Sequence, residues 1–472
     1  MSASLAPADE PLAPSVASEP LALPALPEAE AGELALADVL GALSHALDIT
    51  EGQPPGHALR CAYIAHEIGC RLGLHAATAS DLFYAVLLKD LGCSSNAARI
   101  CALYLTDDRT FKHDFKLVGD SLPQALRFVL DHTGLGHGLA ARFSAVIEIV
   151  RNGGEIAREL IETRCERGAG IARAMGFSET VARGIRDLDE HWDGGGRPRG
   201  ISGEAIALPA RVALLAQVAD VFRSARGGAA ALKEVRERAG TWFDPRIVEA
   251  FADAAAAPGF WEALAATDLE ATVLALPPAR DVRRLDGDGL DRVANAFAQV
   301  IDAKSPYTAG HSERVAFFAG LVAEEIGFPP IRRAWLGRAA LLHDIGKLGV
   351  SNAILDKPGK LDDVEWVAMR NHARDSELIL ARIGAFGDLA RIAGAHHERL
   401  DGRGYPYGLR DPQIGLDTRI LSVADVFDAL TADRPYRAGM PVEKALSILH
   451  ADSGSALDGD CVAALERALA RL

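Results

Sequence analysis

The chain has 472 residues, and at roughly 100–200 residues per domain that length points to two or three domains. Hydrophobic residues make up 49% and charged residues 24%, which excludes a collagen-like or wholly disordered chain. A formal net charge of −15 sets the overall field against nucleic acid polymers and anionic membranes as partners.

Residues 1–33 hold six prolines and six acids with no base, and are expected to form a disordered acidic tail. Asp9 and Glu10 stand where a signal peptide needs Lys or Arg, and no run of 18 uncharged apolar residues occurs. Six cysteines do not make a disulfide framework and read as thiols of a reducing compartment. A cytoplasmic location without a membrane span is the expectation. From Leu34 onward apolar residues recur at helical spacing: Val39, Leu40, Leu43 and Leu47, later Val293, Phe297, Val300 and Ile301, then Val315, Phe318, Val322 and Ile326. Alternating strand patterns are scarce, so the expected fold is all-α.

Self-comparison finds the chain written twice. At an offset of 254, His57 falls on His311, Arg60 on Arg314, and Leu87-Leu88-Lys89-Asp90 on Leu341-Leu342-His343-Asp344. At an offset of 208, Asp193-Gly194 falls on Asp401-Gly402, Pro198 on Pro406, Gly200 on Gly408 and Arg211 on Arg419. A third block, at 214, places Gly240 on Gly454 and Asp244 on Asp458. The expected organisation is a tail at 1–33, a first helical domain at 34–255 with an insertion at about 102–150, a linker at 256–290 and a second domain at 291–472. The second domain carries 22 bases against 25 acids, so an anionic substrate meets no strongly repulsive field there.

Of 14 histidines, five form a series in the second copy: His311, His343, His372, His396 and His397, joined by Asp344 and Asp425. Imidazole and carboxylate without thiolate is the ligand set of Fe, Mn, Zn or Ni. His311 shares a stripe with Val315, Phe318 and Val322; His372 continues Val364 and Ala368; His396 follows Leu389 and Ala393. Adjacent ligands on a helix diverge by about 100°, so the pairs His343-Asp344 and His396-His397 suit more than one metal bridged by a carboxylate. Burying so many ionisable groups without a cation is costly, which favours a metal centre over a structural cluster.

The residues Tyr307 to Ser312, HDIGKLG at 343–349, ILDKPGKL at 354–361, HHERLDGRGYP at 396–406 and ADVFDALTADRPYR at 424–437 identify the resemblance. The second domain resembles the HD-GYP family, metal-dependent HD phosphohydrolases that hydrolyse cyclic di-GMP to pGpG and, in some cases, GMP. The resemblance implies two tandem HD-type helical domains, the second of HD-GYP type. It implies that His311, His343, Asp344 and Asp425 hold one divalent metal, and that His372, His396 and His397 hold another with Asp344 shared. Iron is favoured, with manganese the alternative. Asp344 and Lys347 are the implied catalytic pair; Lys347, Arg434 and Arg437 are implied to bind phosphate, and Gly404-Tyr405-Pro406 to shape the substrate pocket. Tyr307 stands where some members carry a glutamate for a third metal, so two metals are expected. Ser351 replaces the proline usual after HDIGK. Rival readings are another cyclic dinucleotide or nucleotide as substrate, or a receptor that binds cyclic di-GMP without hydrolysis. A diguanylate cyclase is the partner the resemblance brings to mind, and a homodimer is a further expectation.

The first copy has lost much of this set. His57, Asp90 and Asp220 are taken as counterparts of His311, Asp344 and Asp425. Lys89 replaces His343, Cys93 replaces Lys347, and Leu188-Asp189 replace His396-His397. Cys165 lies at or beside the His372 position, and GYP becomes Gly196-Arg197-Pro198. The first copy is expected to be a non-catalytic scaffold or regulator, with Lys89 paired to Asp90 or Asp220 in place of a cation. His113, His132 and His137 of the insertion are expected to be surface histidines.

Overall fold

The computed structural model describes residues 34–116, 122–135, 138–276, 278, 284–433 and 438–472. The tail at 1–33, His137, Arg434 and Arg437 lie outside the described residues. The first copy comprises α1 (Leu36–Thr50), α2 (His57–Arg71), α3 (Ala76–Leu87), α4 (Ala97–Tyr104), α5 (Asp108–Phe115), α6 (Leu122–His132), α7 (Leu139–Ala174), α8 (Glu179–Arg186), α9 (Leu208–Arg226), α10 (Gly228–Glu237) and α11 (Pro245–Ala255). The stretch after it contains two short helices, α12 (Phe260–Ala263) and α13 (Leu269–Leu274), whose Phe260, Leu269 and Val273 are buried. The second copy comprises α14 (Gly287–Asp302), α15 (His311–Ile326), α16 (Pro330–Leu342), α17 (Asn352–Leu355), α18 (Asp363–Leu380), α19 (Gly387–Gly394), α20 (Leu416–Thr431), α21 (Val442–Asp452) and α22 (Gly459–Leu469). The only strands among the described residues are Leu34–Ala35 and Arg284–Leu285, antiparallel, which tie the start of one copy to the start of the other.

Local chemistry sets the helix ends. Asp107, Asp286 and Asp458 accept hydrogen bonds from first-turn amides of α5, α14 and α22, and Asp362 with Glu365 forms a capping box on α18. The expected apolar stripes are buried: Val39, Leu40, Leu43 and Leu47 on α1, and Val293, Phe297, Val300 and Ile301 on α14. These two helices do not serve only their own copies. Helix α1 packs on the second copy's 3-10 turn Ile345–Gly349 and on α18, while α14 packs on the first copy's turn Cys93–Asn96 and on α7. Their side chains belong to one continuous hydrophobic cluster that also takes in Leu87, Leu91, Ile345 and Leu348. Each large side chain fully buried there contributes about 1.5–3 kcal/mol. A second cluster, with Ile64, Val212, Leu215 and Phe251, is internal to the first copy.

Candidate metal centre

The residues of the histidine series converge in the second copy. His311 opens α15, Asp425 projects from α20 and His372 from α18, and His343-Asp344 and His396-His397 lie just beyond the ends of α16 and α19. The two dyads are thus on helix exits rather than within helices, and the position has a chemical use. The Nδ1–H of His343 donates to Ala340 O at 2.6 Å and that of His396 to Ala393 O at 2.5 Å, using helix-terminal carbonyls that lack an intrahelical partner. His372 donates likewise to Met369 O at 2.5 Å, and His311 Nδ1 is held by Asp428 Oδ2 at 2.7 Å. With Nδ1 engaged in these four rings, their Nε2 atoms turn inward.

Asp344 stands between these imidazoles and divides them. Its Oδ2 lies 3.4 Å from Nε2 of both His311 and His343; its Oδ1 lies 3.4 Å from His372 Nε2 and 3.8 Å from His396 Nε2. Asp425 Oδ1 is 3.4 Å from His311 Nε2, and Asp425 Oδ2 is 3.9 Å from His397 Nδ1. Nε2 of His311, His343, His372 and His396, with Asp344 Oδ1, are buried and lack a hydrogen-bond partner. Five inward-facing buried ligand atoms without partners, four imidazole and one carboxylate, fit divalent metal.

The electrostatics agree. Burial lowers His372 and His396 to about 4, and lowers His343 and His397 as well, so these rings are neutral ligands at pH 7. Burial also presses on His311, but the Asp344 and Asp428 carboxylates hold it up at about 9. Burial would raise the Asp344 carboxyl, yet His343 and Lys347 beside it hold it well below the usual carboxylate range. Lys347 forms an ion pair with Asp344 and remains partly open to solvent.

Tyr405 lies on the His397 ring with centroids 4.8 Å apart, and Arg370 sits over the far part of this wall, 5.5 Å from the Tyr405 ring and 5.5 Å from that of Trp366. Gly404 is obligatory, since a Cβ there would lie 2.5 Å from Arg399 N and 2.6 Å from His397 O. Glu398 pins the loop by accepting from the amides of Tyr407, Gly408 and Leu409. Glu398, Asp428 and Arg370 were not singled out from the sequence. A signal existed for Asp428, which lies one helical turn from Asp425 and matches Asp220 at the 208 offset. His372 is buried as its stripe predicts, but Val364, two turns earlier on α18, is 80% exposed.

The first copy repeats the frame without the ligands. His57 Nδ1 meets Asp220 Oδ2 at 2.8 Å and Arg60 Nε meets Asp220 Oδ1 at 2.8 Å, matching His311, Asp428 and Arg314. Asp220 is therefore the counterpart of Asp428, not of Asp425, whose place at the same offset is taken by Gln217. A Cβ on Gly346 would lie 2.0 Å from His372 O, and one on Gly92 would lie 1.9 Å from Arg164 O. The same close approach assigns the His372 position to Arg164 rather than to its neighbour Cys165, in keeping with the 208 offset, which carries 372 onto 164. Lys89 pairs with Asp90, as expected, and its Nζ is 3.2 Å from His57 Nε2. Arg164 pairs with Asp189. Two other clusters, His57–Cys61–Asp220 and Glu51–Asp90–Cys93, bring metal-type donors together, but Lys89, Arg60, Lys112 and Lys116 already neutralise their carboxylates. Burial also pushes the Cys61 and Cys93 thiols well up, away from the thiolate that binds metal. In the insertion, His113 and His132 share Asp114.

Comparison with known proteins agrees with this geometry. The HD domain family profile matches residues 135–247 and 295–461. A 3'3'-cGAMP-specific phosphodiesterase (phosphodiesterase 3) of Vibrio cholerae serotype O1 is 52% identical over 434 residues, covering 92% of this chain and 94% of the relative. The cyclic di-GMP phosphodiesterase response regulator RpfG of Xanthomonas campestris pv. campestris is 40% identical over 209 residues, 44% of this chain and 54% of that one. A crystal structure of a cyclic GMP-AMP specific phosphodiesterase of V. cholerae aligns with a TM-score of 0.64 at 47% identity, covering 93% of this chain and 98% of that chain. No helix among the described residues is long and apolar enough to cross a membrane. With the fold, the shared-carboxylate histidine cluster and these relatives in agreement, the chain belongs to the HD-GYP family of HD-domain phosphohydrolases.

Proposed function

We propose that the chain is a metal-dependent phosphodiesterase that opens a 3'3'-linked cyclic dinucleotide, with 3'3'-cGAMP as its substrate. The position of Asp344 carries the hydrolytic reading, because one carboxylate placed between two histidine pairs is the arrangement a pair of cations would share. The substrate reading rests on the relative that matches nearly the whole chain, and it replaces the expectation of cyclic di-GMP with the rival cyclic dinucleotide. His311, His343, Asp344 and Asp425 would hold one cation; His372, His396 and His397 would hold the second with Asp344. Iron is favoured and manganese is the alternative. Bound there, divalent cations supply Lewis acidity at the phosphoryl oxygens and a more acidic water.

The chain's own residues do the remaining work. Lys347 exchanges its contact with Asp344 for a phosphoryl oxygen and stabilises the charge that develops there. Tyr405, fixed on His397, offers a ring face to a base or ribose, and Arg370 offers a guanidinium beside it. Arg434 and Arg437 remain assigned to phosphate by resemblance alone. The first copy, with Lys89 and Arg164 in ligand positions, is non-catalytic, and six free cysteines accord with a cytoplasmic location.

The test is anaerobic purification with metal analysis, followed by hydrolysis of 3'3'-cGAMP, cyclic di-GMP and cyclic di-AMP by wild type and Asp344→Ala. The expected result is preferential linearisation of 3'3'-cGAMP, abolished in Asp344→Ala. A metal-replete wild type that binds the dinucleotide and leaves it intact would establish a receptor instead, and faster turnover of cyclic di-GMP would overturn the substrate assignment.

A further inference from the structure

Two features of the sequence are not used by the catalytic reading: the insertion at about 102–150, and Ser351 in place of the usual proline. The structure brings them together. Three consecutive residues at the start of α5, within the insertion, face the segment that follows Lys347. Arg109 Nη1 donates to Gly349 O at 2.6 Å, and its Nε donates to Ile49 O at 3.2 Å, so one guanidinium joins the last carbonyls of α1 to the end of the catalytic 3-10 turn. Asp108 is fully buried; its Oδ1 accepts from Asn352 N at 3.1 Å and its Oδ2 from the buried Lys304 Nζ at 3.3 Å. Asp107 lies beside the Ser351 hydroxyl, which with Thr110 holds the Asp107 carboxyl below its ordinary value against the effect of burial. Asn352 in turn donates to Lys304 O at 2.7 Å and to Asp356 Oδ2 at 2.7 Å, so the contact extends into the second copy's own frame.

The turn Ile345–Gly349 carries Lys347. Gly346 N donates to Ser376 Oγ at 2.9 Å and Gly346 presses against His372 at backbone contact distance, while Arg109 supplies a donor to its last carbonyl, Gly349 O. A shift of about 1 Å in such a loop moves Lys347 away from the phosphoryl oxygens, and misplacement on that scale costs up to about a hundredfold in rate. We propose that Asp107, Asp108 and Arg109 of the non-catalytic copy are positioning residues that fix the catalytic turn of the other copy, so that the first copy contributes to the reaction through Lys347. This rests on the assignment of Lys347 to the phosphate, and not on which dinucleotide is the substrate.

Arg109→Ala, Arg109→Lys and Ser351→Pro in the full metal-loaded chain test it, each in wild-type and Lys347→Ala backgrounds. Ser351 has φ −60° and follows an extended Val350, so proline fits the backbone and removes the hydroxyl, with its contact to Asp107 and its cap on Ala353 N at 3.3 Å. With bis(p-nitrophenyl) phosphate, Arg109→Ala should lower kcat about tenfold with KM within about twofold, Arg109→Lys should restore part of it, and Ser351→Pro should lower kcat by a smaller factor. In the Lys347→Ala background Arg109→Ala should cost less than about twofold, since residues acting through one another are not additive. Hydrogen exchange in residues 345–356 should rise in Arg109→Ala while exchange in α20 and α22 stays unchanged. An equal loss in both backgrounds, or unchanged exchange in 345–356, would overturn the proposal. Failure of the substrate reading has a different signature, an intact cyclic dinucleotide beside a hydrolysed model diester. If neither diester is hydrolysed, the exchange measurement still decides.

Discussion

Arg164 pairs with Asp189 in the first copy at the two positions that His372 and His397 occupy in the second. Lys89 does the same for the other half of the centre, bound to Asp90 and beside His57. Two fixed cations thus stand where the second copy gathers its candidate metal ligands, and the fold around them, including the His57–Asp220–Arg60 contact, is kept.

Metal content should therefore come from one copy. The intact chain should bind two divalent ions, Asp90→Asn should retain both, and Asp344→Asn should lose them, as read by elemental analysis of protein purified anaerobically. Retention of metal by Asp344→Asn would place ions in the first copy and contradict the substitution.

Lys89 is buried and is the direct counter-charge of Asp90. Replacing it with Met leaves an uncompensated buried carboxylate and should destabilise the chain by about 3–5 kcal/mol. The double variant Lys89→Met/Asp90→Leu should recover most of that loss in denaturant melts.

His57 supplies a pH dependence. Burial lowers it to about 4, with Lys89 beside it acting in the same direction, although the contact with Asp220 opposes both. A histidine whose folded pKa lies below its unfolded value of about 6.5 contributes stability above that pH, and the contribution is lost as pH falls through the folded value. The stability of wild type relative to His57→Gln should thus decline between pH 6.5 and 4, by about 3 kcal/mol in total. A pH-independent difference in melting temperature would contradict it.

Lys347→Ala should lower kcat by about a hundredfold or more while leaving two metals bound, because the lysine stabilises charge rather than ligating. Loss of metal together with activity would show instead that its ion pair with Asp344 is structural.

Phe297 is fully buried on α14, in the cluster that includes α1. Phe297→Ala should cost about 3–5 kcal/mol. Because the cluster is continuous, faster hydrogen exchange should appear in α1 of the first copy as well as in the second, and confinement of the effect to the second copy would show that the two cores are separable.

The all-α fold and the converging histidines are legible in the sequence because each leaves an ordered trace: stripes of Val, Leu and Phe, and histidines paired with aspartate or histidine inside short fixed motifs. Asp220 was misassigned because Asp425 and Asp428 are a turn apart on one helix, and only the hydrogen bond to His57 Nδ1 distinguishes the outer carboxylate from the inner. Cys165 draws the eye as a metal-type side chain, but the 208 offset falls on Arg164, and one residue along a helix is a different face. The exchange of packing between α1 and α14 left no trace, since a buried leucine reads the same whichever neighbour covers it. Contacts such as Arg109 with Gly349 join residues 240 positions apart through a backbone carbonyl, which carries no side-chain signature.

That exchange of packing has a consequence for how the chain could change over time. Two identical subunits related by a two-fold axis accept every substitution twice, so a change that disables one centre disables both. With both halves on one chain and their first helices crossed over, the symmetry of the scaffold outlives the symmetry of the sequence. One half can therefore carry Lys89 and Arg164 at positions where the other carries imidazoles, with α5 and α6 besides. The division of labour follows from covalent continuity across a shared core.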